Sequence, residues 1–494
     1  MSMKKQCLIT EKTKTSMKRR DFFKTVGLTA VGIALNDVLI LASQKPPRPN
    51  VLLIITDQQF ADAMSCRMGD RYISTPAMDR LAADGMLFSR AYCANPICVP
   101  SRTAMLTGRY PHETGVLDNQ IQWYKLDPLE VPTLGTLFKE AGYHTGYVGK
   151  WHVPYPSGDG ESGFNTMRNL YHKGHDAQTP SVVKEFLKTP RRGTFLVVAS
   201  FCNPHNICEW GRGTRGDDLP DGFVGELPAP EFCPPVKANH LPPMNETDIM
   251  QFIRTSYHNT KMMPIGDFDE DTWRQYLWAY YHMIQKVDSQ IGEILDTLDE
   301  LGLAEDTLIV FTSDHGDCQG AHKWSQKSMF YDEVSRVPLI IRQKGVTKGG
   351  CCDFLVETGV DLLPTLCDFT GIVPPGNLFG RSLKPIVTGE TAPEDWREFV
   401  VSSNHLMYGA PVEGVTKRPH GRMVRSDRYK YCLYSEGERR ESLIDMELDP
   451  GEMVNLAGSP EFADVLQQHR LRLHHFGERT GDQHALEMLS QVTE

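Results

Sequence analysis

"NVLLIITDQQ" (Asn50–Gln59) decides how the chain is read. An unbroken apolar and β-branched run suits a strand buried on both faces, and this one stops abruptly at Asp57-Gln58-Gln59. Three further runs have the same form: "HTGYVGKWH" (His144–His152), "TFLVVASFCNPH" (Thr194–His205) and "TLIVFTSDHGD" (Thr307–Asp317). Helical segments lie between them at Thr75–Gly85, Thr133–Gly142 and Asp271–Gly302, the last opened by aspartate and closed by glycine, as helix entry and exit require. The pattern predicts an α/β fold with a large, mostly parallel central sheet sandwiched by helices. In such sheets ligands collect at the carboxyl ends of strands. Those ends carry Asp57, Gln58, Lys150, His152, His205, Asp314 and His315, so four strands deliver titratable or chelating groups to one edge.

Beyond Trp396 the strand signals turn short and alternating, as in "YKYCLYS" (Tyr429–Ser435). They predict a smaller C-terminal α+β domain on a short antiparallel sheet. The expected division is a leader at 1–43, a catalytic α/β domain at 47–395 and the smaller domain at 396–494. A chain of 494 residues with 40% hydrophobic content can bury cores of this size. Its net charge of −11 argues against nucleic acid or an anionic membrane as partner, because both want a basic face. In the leader, "MKRRDFFKTVGLTAVGIALN" (Met17–Asn36) sets Arg19 and Arg20 before an apolar run too short for a stable membrane span but of signal length. It resembles a twin-arginine signal, which implies the twin-arginine export machinery as a partner and the bacterial periplasm as destination.

The twelve cysteines form no CxxC pair, so a structural zinc site is not expected. Cys93, Cys202 and Cys208 are candidates for disulfides in an exported protein. The Pro- and Gly-rich stretch Gly211–Asp248 reads as an insertion over the site.

"NPICVPSRTAMLTG" (Asn95–Gly108) carries the chemistry. Pro100 suits a first helical turn and Gly108 a stop, which puts Cys98 where free N–H groups and the positive end of the helix dipole point. Asp57, Asp314 and Gln58 are hard oxygen donors that suit calcium or magnesium better than zinc. An oxyanion held against such an ion and flanked by Arg102, Lys150 and Lys327 has its charge neutralised. His152 and His205 are then placed to carry protons.

Taken together, "CVPSRTAMLTG", "NVLLIITDQQ", "GYVGKWH", "NPH", "SDHGD", "HKWSQKSMFYDEVSRVP" (His322–Pro338) and "SLIDMELDPGEMVNL" (Ser442–Leu456) resemble the motifs of the type I, formylglycine-dependent sulfatases of the alkaline phosphatase superfamily. The likeness covers nearly the whole chain after the leader. It implies that a formylglycine-generating maturation enzyme oxidises Cys98. It further implies that Asp57, Gln58, Asp314 and His315 bind Ca2+, with Mg2+ less suited, together with the modified residue 98. Arg102 and Lys150 would hold the formylglycine. One hydroxyl of its hydrate would attack sulfur while His205 or Lys327 protonates the leaving alcohol. His152 would take the proton of the other hydroxyl, expelling sulfate. Lys323 is an alternative to Lys327, but the spacing to "YDEVSRVP" favours Lys327. Gln58 stands where many members carry a second aspartate and His315 where many carry asparagine, and both changes lower the negative charge of the cage.

The expected activity is hydrolysis of a sulfate ester on a carbohydrate, with a glycosaminoglycan fragment among the candidates. Gly211–Asp248, Arg168–Asp176 and Ser402–Arg422, with their His, Arg, Asn and Tyr content, are expected to line the pocket. Two other readings are a phosphonate or phosphate ester hydrolase of the same superfamily, and an inactive homologue that only binds sulfated glycans.

Overall fold

Alternate residues of the predicted runs enter two different cores. In β1 (Asn50–Asp57), Leu52 and Ile54 pack with residues of the 31-residue helix Glu270–Glu300. Val51, Leu53 and Ile55 point the other way, towards Phe138 and the Leu362-Leu363 pair of helix Thr358–Thr370. Each fully buried aliphatic side chain contributes about 1.5–3 kcal/mol, so both faces hold the sheet between helical layers. A computed structural model describes residues 48–170, 176–222, 224–258, 260, 263–390, 394–406 and 409–493. The leader expected at 1–43 lies outside the described residues.

The sheet also contains β2 (Met86–Phe88), β4 (His144–Gly149), β5 (Thr166–Asn169), β6 (Phe195–Pro204), β7 (Thr307–Ser313), β8 (Leu339–Arg342) and β9 (Gly350–Cys352). The order is β5-β4-β6-β1-β7-β8-β2-β9. The first five strands are mutually parallel, and β8 runs antiparallel to β7 and β2. The four strands expected to feed the site are therefore neighbours with their carboxyl ends on one edge. Ile55 pairs with Ser200 but Asp57 with Pro204, so β6 bulges by two residues and brings His205 level with the end of β1.

A two-stranded pair, β3 (Ala91–Tyr92) and β10 (Val356–Glu357), lies apart from this sheet. Glu357 ends it fully buried, and burial pushes its carboxyl up to about 8 against the pull of Arg397. Its Oε2 accepts from the Tyr110 hydroxyl at 2.9 Å, while Oε1 has no partner.

The C-terminal sheet runs β11 (Phe399–His405), β12 (His420–Ser426), β13 (Tyr429–Tyr434) and β14 (Glu441–Asp445), in that order and antiparallel. Val401, Val424, Tyr431 and Leu443 share a core with Leu473 and Phe476 of helix Ala463–Thr480, and with Ala104 and Val360. The buried Arg422 guanidinium closes on Asp482 at 2.5 and 2.7 Å, pinning the turn before the last helix. The disulfides expected of Cys93, Cys202 and Cys208 do not form: all three are free thiols. Each is engaged elsewhere, Cys202 with Asn206 Oδ1 at 3.7 Å and Cys208 with the Gln58 amide at 3.4 Å, while Cys93 is sealed in the core behind β1.

Candidate active site

Asp57 ends β1, Lys150 and His152 follow β4, His205 follows β6, and Asp314 and His315 follow β7. The helix Cys98–Thr107 starts against this edge. Ile97 is extended (φ −142°, ψ 141°) and supplies no side-chain cap. The orphan N–H of Val99 instead donates to Asn119 Oδ1 at 2.9 Å, and the Ser101 hydroxyl donates to the Asp314 carbonyl at 2.6 Å. At the far end Gly108 takes a left-handed turn (φ 68°) where a Cβ would lie 3.0 Å from Leu363. All ten residues of this helix are buried.

Cys98 Sγ lies 2.9 Å from Lys327 Nζ, 3.2 Å from His315 Nε2 and 3.8 Å from Asp57 Oδ1. Lys327 Nζ also reaches His205 Nε2 at 2.7 Å. Arg102 donates to Asp57 at 2.9 Å, to Asp314 at 2.7 Å, and to Ser200 Oγ at 2.8 Å. Lys150 Nζ stands 2.8 Å from Asp57 Oδ2. His152 and His205, both partly exposed, lie within hydrogen-bonding reach of the Cys98 side chain.

These charges set the protonation states. Burial raises Asp57, but Lys150 and Arg102 overcome it and hold the carboxyl well below the usual range. Burial, then the charge of Asp57, pushes Asp314 up to about 7. Burial and Asp57 would raise the Cys98 thiol, yet Lys327, Lys150 and His315 bring it well below the ordinary value. Burial followed by Lys327 and Lys150 drops His205 to about 3, so its imidazole is neutral; burial likewise lowers His152.

Ligand atoms of Asp57, Cys98, Asp314 and His315 all lie within 4.8 Å of one another, and all four residues are buried. The Nδ1 of His315 faces the Gly316 carbonyl at 2.9 Å, so its Nε2 lone pair is turned to the centre. Carboxylate oxygens from two strands, an imidazole nitrogen and the residue-98 side chain converge in one dry site, so the donor set fits a divalent ion. Gln58 sits beside the four: its Nε2 donates to Asp317 Oδ2 at 2.8 Å and its own N–H to Asp314 Oδ1 at 3.1 Å.

Lys327, and not Lys323, is the lysine that meets Cys98; Lys323 is exposed on the turn Ala321–Lys323. Gln326 (φ 66°) and Ser328 (φ 82°) flank Lys327 in left-handed backbone, at a cost of about 1–3 kcal/mol each. Asp317 accepting the Gln326 N–H at 3.0 Å and Pro96 O accepting the Ser328 N–H at 2.9 Å hold that turn and aim the lysine. Asp317, Ser200 and Asn119 had no role in the sequence reading. Asp317 had a signal, since "SDHGD" offers a second carboxylate three residues after Asp314. Asn119 and Ser200 had none.

The stretch Gly211–Asp248 joins two sides of the site. Asp221 accepts from Asn203 and Asn206, which bracket His205, at 2.9 and 3.0 Å. Farther on, the His240 carbonyl accepts from Lys323 N–H at 2.6 Å. Of Arg168–Asp176, residues 171–175 lie outside the described residues, and Arg168 pairs with Asp159 at 2.9 Å. In Ser402–Arg422, Asn404 donates to the Ser328 carbonyl at 2.6 Å, next to Lys327.

A parallel sheet whose strand ends gather two buried carboxylates, an inward imidazole, three cationic side chains and a cysteine at a helix start defines a hydrolase of the alkaline phosphatase-like superfamily. The chain belongs to the sulfatase family: the Sulfatase family model matches residues 49–372, and the N-sulphoglucosamine sulphohydrolase C-terminal model matches 320–479. Membership makes it a sulfuric ester hydrolase and implies a formylglycine and a divalent metal. It is similar to a Delta 4,5-hexuronate-2-O-sulfatase of Bacteroides thetaiotaomicron, 34% identical, with 89% of this chain and 91% of that protein covered. An N-acetylglucosamine-6-O-sulfatase of the same organism is 28% identical over 85% and 84%. A solved structure of a 2-O GAG sulfatase superposes with a TM-score of 0.75 at 30% identity, covering 88% of this chain and 93% of that one.

Proposed function

We propose that the protein removes a sulfate ester from a carbohydrate, with a glycosaminoglycan fragment as the substrate class, using Cys98 matured to formylglycine. The observation that carries this reading is the contact of Cys98 Sγ with Lys327, which in turn meets His205, beside the Asp57–Asp314 pair. The two similar Bacteroides enzymes, named for sulfated hexuronate and N-acetylglucosamine, support the substrate class. Asp57, Asp314, His315 and residue 98 would hold the cation, with Gln58 as a further oxygen donor, and an oxygen-rich set of this kind favours calcium. Formylglycine supplies the nucleophile as its hydrate, and the cation neutralises sulfate charge.

The chain's own side chains do the rest. Arg102 fixes both carboxylates, and Lys150 adds positive charge behind residue 98. The Lys327–His205 pair handles the proton of the leaving alcohol, and His152 accepts a proton from the residue-98 side chain. The arginine pair of the leader supports export through the twin-arginine route to a periplasm. The test is desulfation of sulfated mono- and disaccharides by the protein coexpressed with a maturing enzyme, with intact mass reporting conversion of the Cys98 thiol. Turnover of aryl sulfates with no release from any sulfated sugar would overturn the substrate reading, and an unconverted thiol in an active protein would overturn the nucleophile.

A further inference from the structure

We propose that Trp123 forms a sugar-stacking subsite beside the sulfated residue, so that the preferred substrate is an oligosaccharide. The proposal rests on the carbohydrate reading above. The segment 118–126 bridges two pieces of the catalytic machinery. At one end Asn119 Oδ1 accepts from Val99 N–H, the residue after Cys98, at 2.9 Å. At the other, Leu126 N–H donates to the Pro154 carbonyl at 2.9 Å, two residues beyond His152. Between these ties the chain makes the single turn Ile121–Trp123, closed by Trp123 N–H on the Gln120 carbonyl at 2.8 Å and by the Tyr124 hydroxyl on Asp118 at 2.9 Å.

Trp123 is four residues from one tie and three from the other. A chain spans at most about 3.6 Å per residue, which keeps the indole's backbone within about 14 Å of Asn119 and about 11 Å of Leu126. Through these ties the turn that carries Trp123 is anchored on one side to the start of the helix bearing Cys98 and on the other to the segment that follows His152. Trp123 is 61% exposed, whereas the other six tryptophans are buried or half-buried. Its turn is braced, so the side chain is presented to water with little further ordering to lose on binding. An indole face matches the C–H face of a pyranose. Exposed Gln122 and Lys125 flank it, offering a hydroxyl partner and a cation for a carboxylate or a second sulfate.

The test compares wild type, Trp123→Ala, Trp123→Phe and Lys125→Ala on a sulfated disaccharide, the matching sulfated monosaccharide and an aryl sulfate. Trp123→Ala is expected to lower the disaccharide-to-monosaccharide ratio of kcat/KM about fivefold to tenfold, through KM. Trp123→Phe should restore most of it, and Lys125→Ala should reduce the ratio when the added sugar is anionic. A ratio unaltered by Trp123→Ala in an enzyme active on the disaccharide would overturn the subsite alone. Equal losses on both sugars would also overturn it, making the segment a brace for the catalytic helix. A wild type that hydrolysed the aryl sulfate and neither sugar would overturn the carbohydrate reading together with the subsite.

Discussion

Lys327 Nζ meets Nε2 of His205 across 2.7 Å, and burial with the lysine charge holds His205 at about 3. The imidazole is therefore neutral and the proton rests on lysine. Lys327→Ala should lower kcat on alkyl sulfates by about 10²–10⁴-fold, and far less on aryl sulfates with acidic phenols, whose leaving oxygen needs no proton. A leaving-group series read as kcat against phenol pKa checks this. Equal losses across the series would assign Lys327 to binding the anion.

Asp317 touches no candidate metal ligand atom in the central four, yet it holds the Gln58 amide at 2.8 Å and the Gln326 N–H at 3.0 Å. Asp317→Asn is expected to weaken metal affinity on the order of 10–100-fold, as loss of an outer partner does. Chelator titration against calcium and magnesium measures it. Full activity at low free calcium would show that Gln58 needs no such restraint.

Glu357 carries a pH dependence of stability. Its folded-state value, pushed up to about 8 by burial, exceeds the unfolded value of about 4.3. The native state binds this proton more tightly, so the contribution is complete below about pH 4 and drains away between about 4 and 8. Glu357→Gln keeps the Tyr110 contact and removes the titration. Its stability relative to wild type should rise from pH 5 to pH 8 by on the order of 3–4 kcal/mol, read as a growing difference in melting temperature. A difference that stays flat across this range would refute the assignment.

Asp482→Ala leaves the buried Arg422 guanidinium unpaired. The expected cost is about 3–5 kcal/mol, visible in denaturant unfolding. Since the pair lies in the C-terminal layer, the folded fraction should keep its kcat; a loss of kcat in fully folded protein would count against this separation.

The four catalytic strands were legible because unbroken apolar runs admit little else, and their polar endings were legible because strand ends in parallel sheets are where chemistry collects. Strands β2, β8 and β9, three or four residues each, are too short to show a period. Side-chain direction was likewise hidden: no pattern in "TDQQ" tells that the Gln58 amide turns to Asp317. Asn119 and Asp221 sit in aperiodic segments, where the residue a loop touches depends on its path across the surface. The cysteines misled because separation in space, which decides disulfide pairing, leaves no trace in spacing.

Cys98 has no exposed surface, and the other nine residues of its helix are buried with it. An enzyme that oxidises the cysteine has to reach its side chain, and in the finished fold that side chain is buried. On the formylglycine reading proposed above, an order of events follows: oxidation would come first, while residues around Cys98 are still an unfolded peptide, and the sheet would close over the product. On the twin-arginine reading proposed above, the decision between an active and an inert molecule would be taken before the chain leaves the compartment in which it was made.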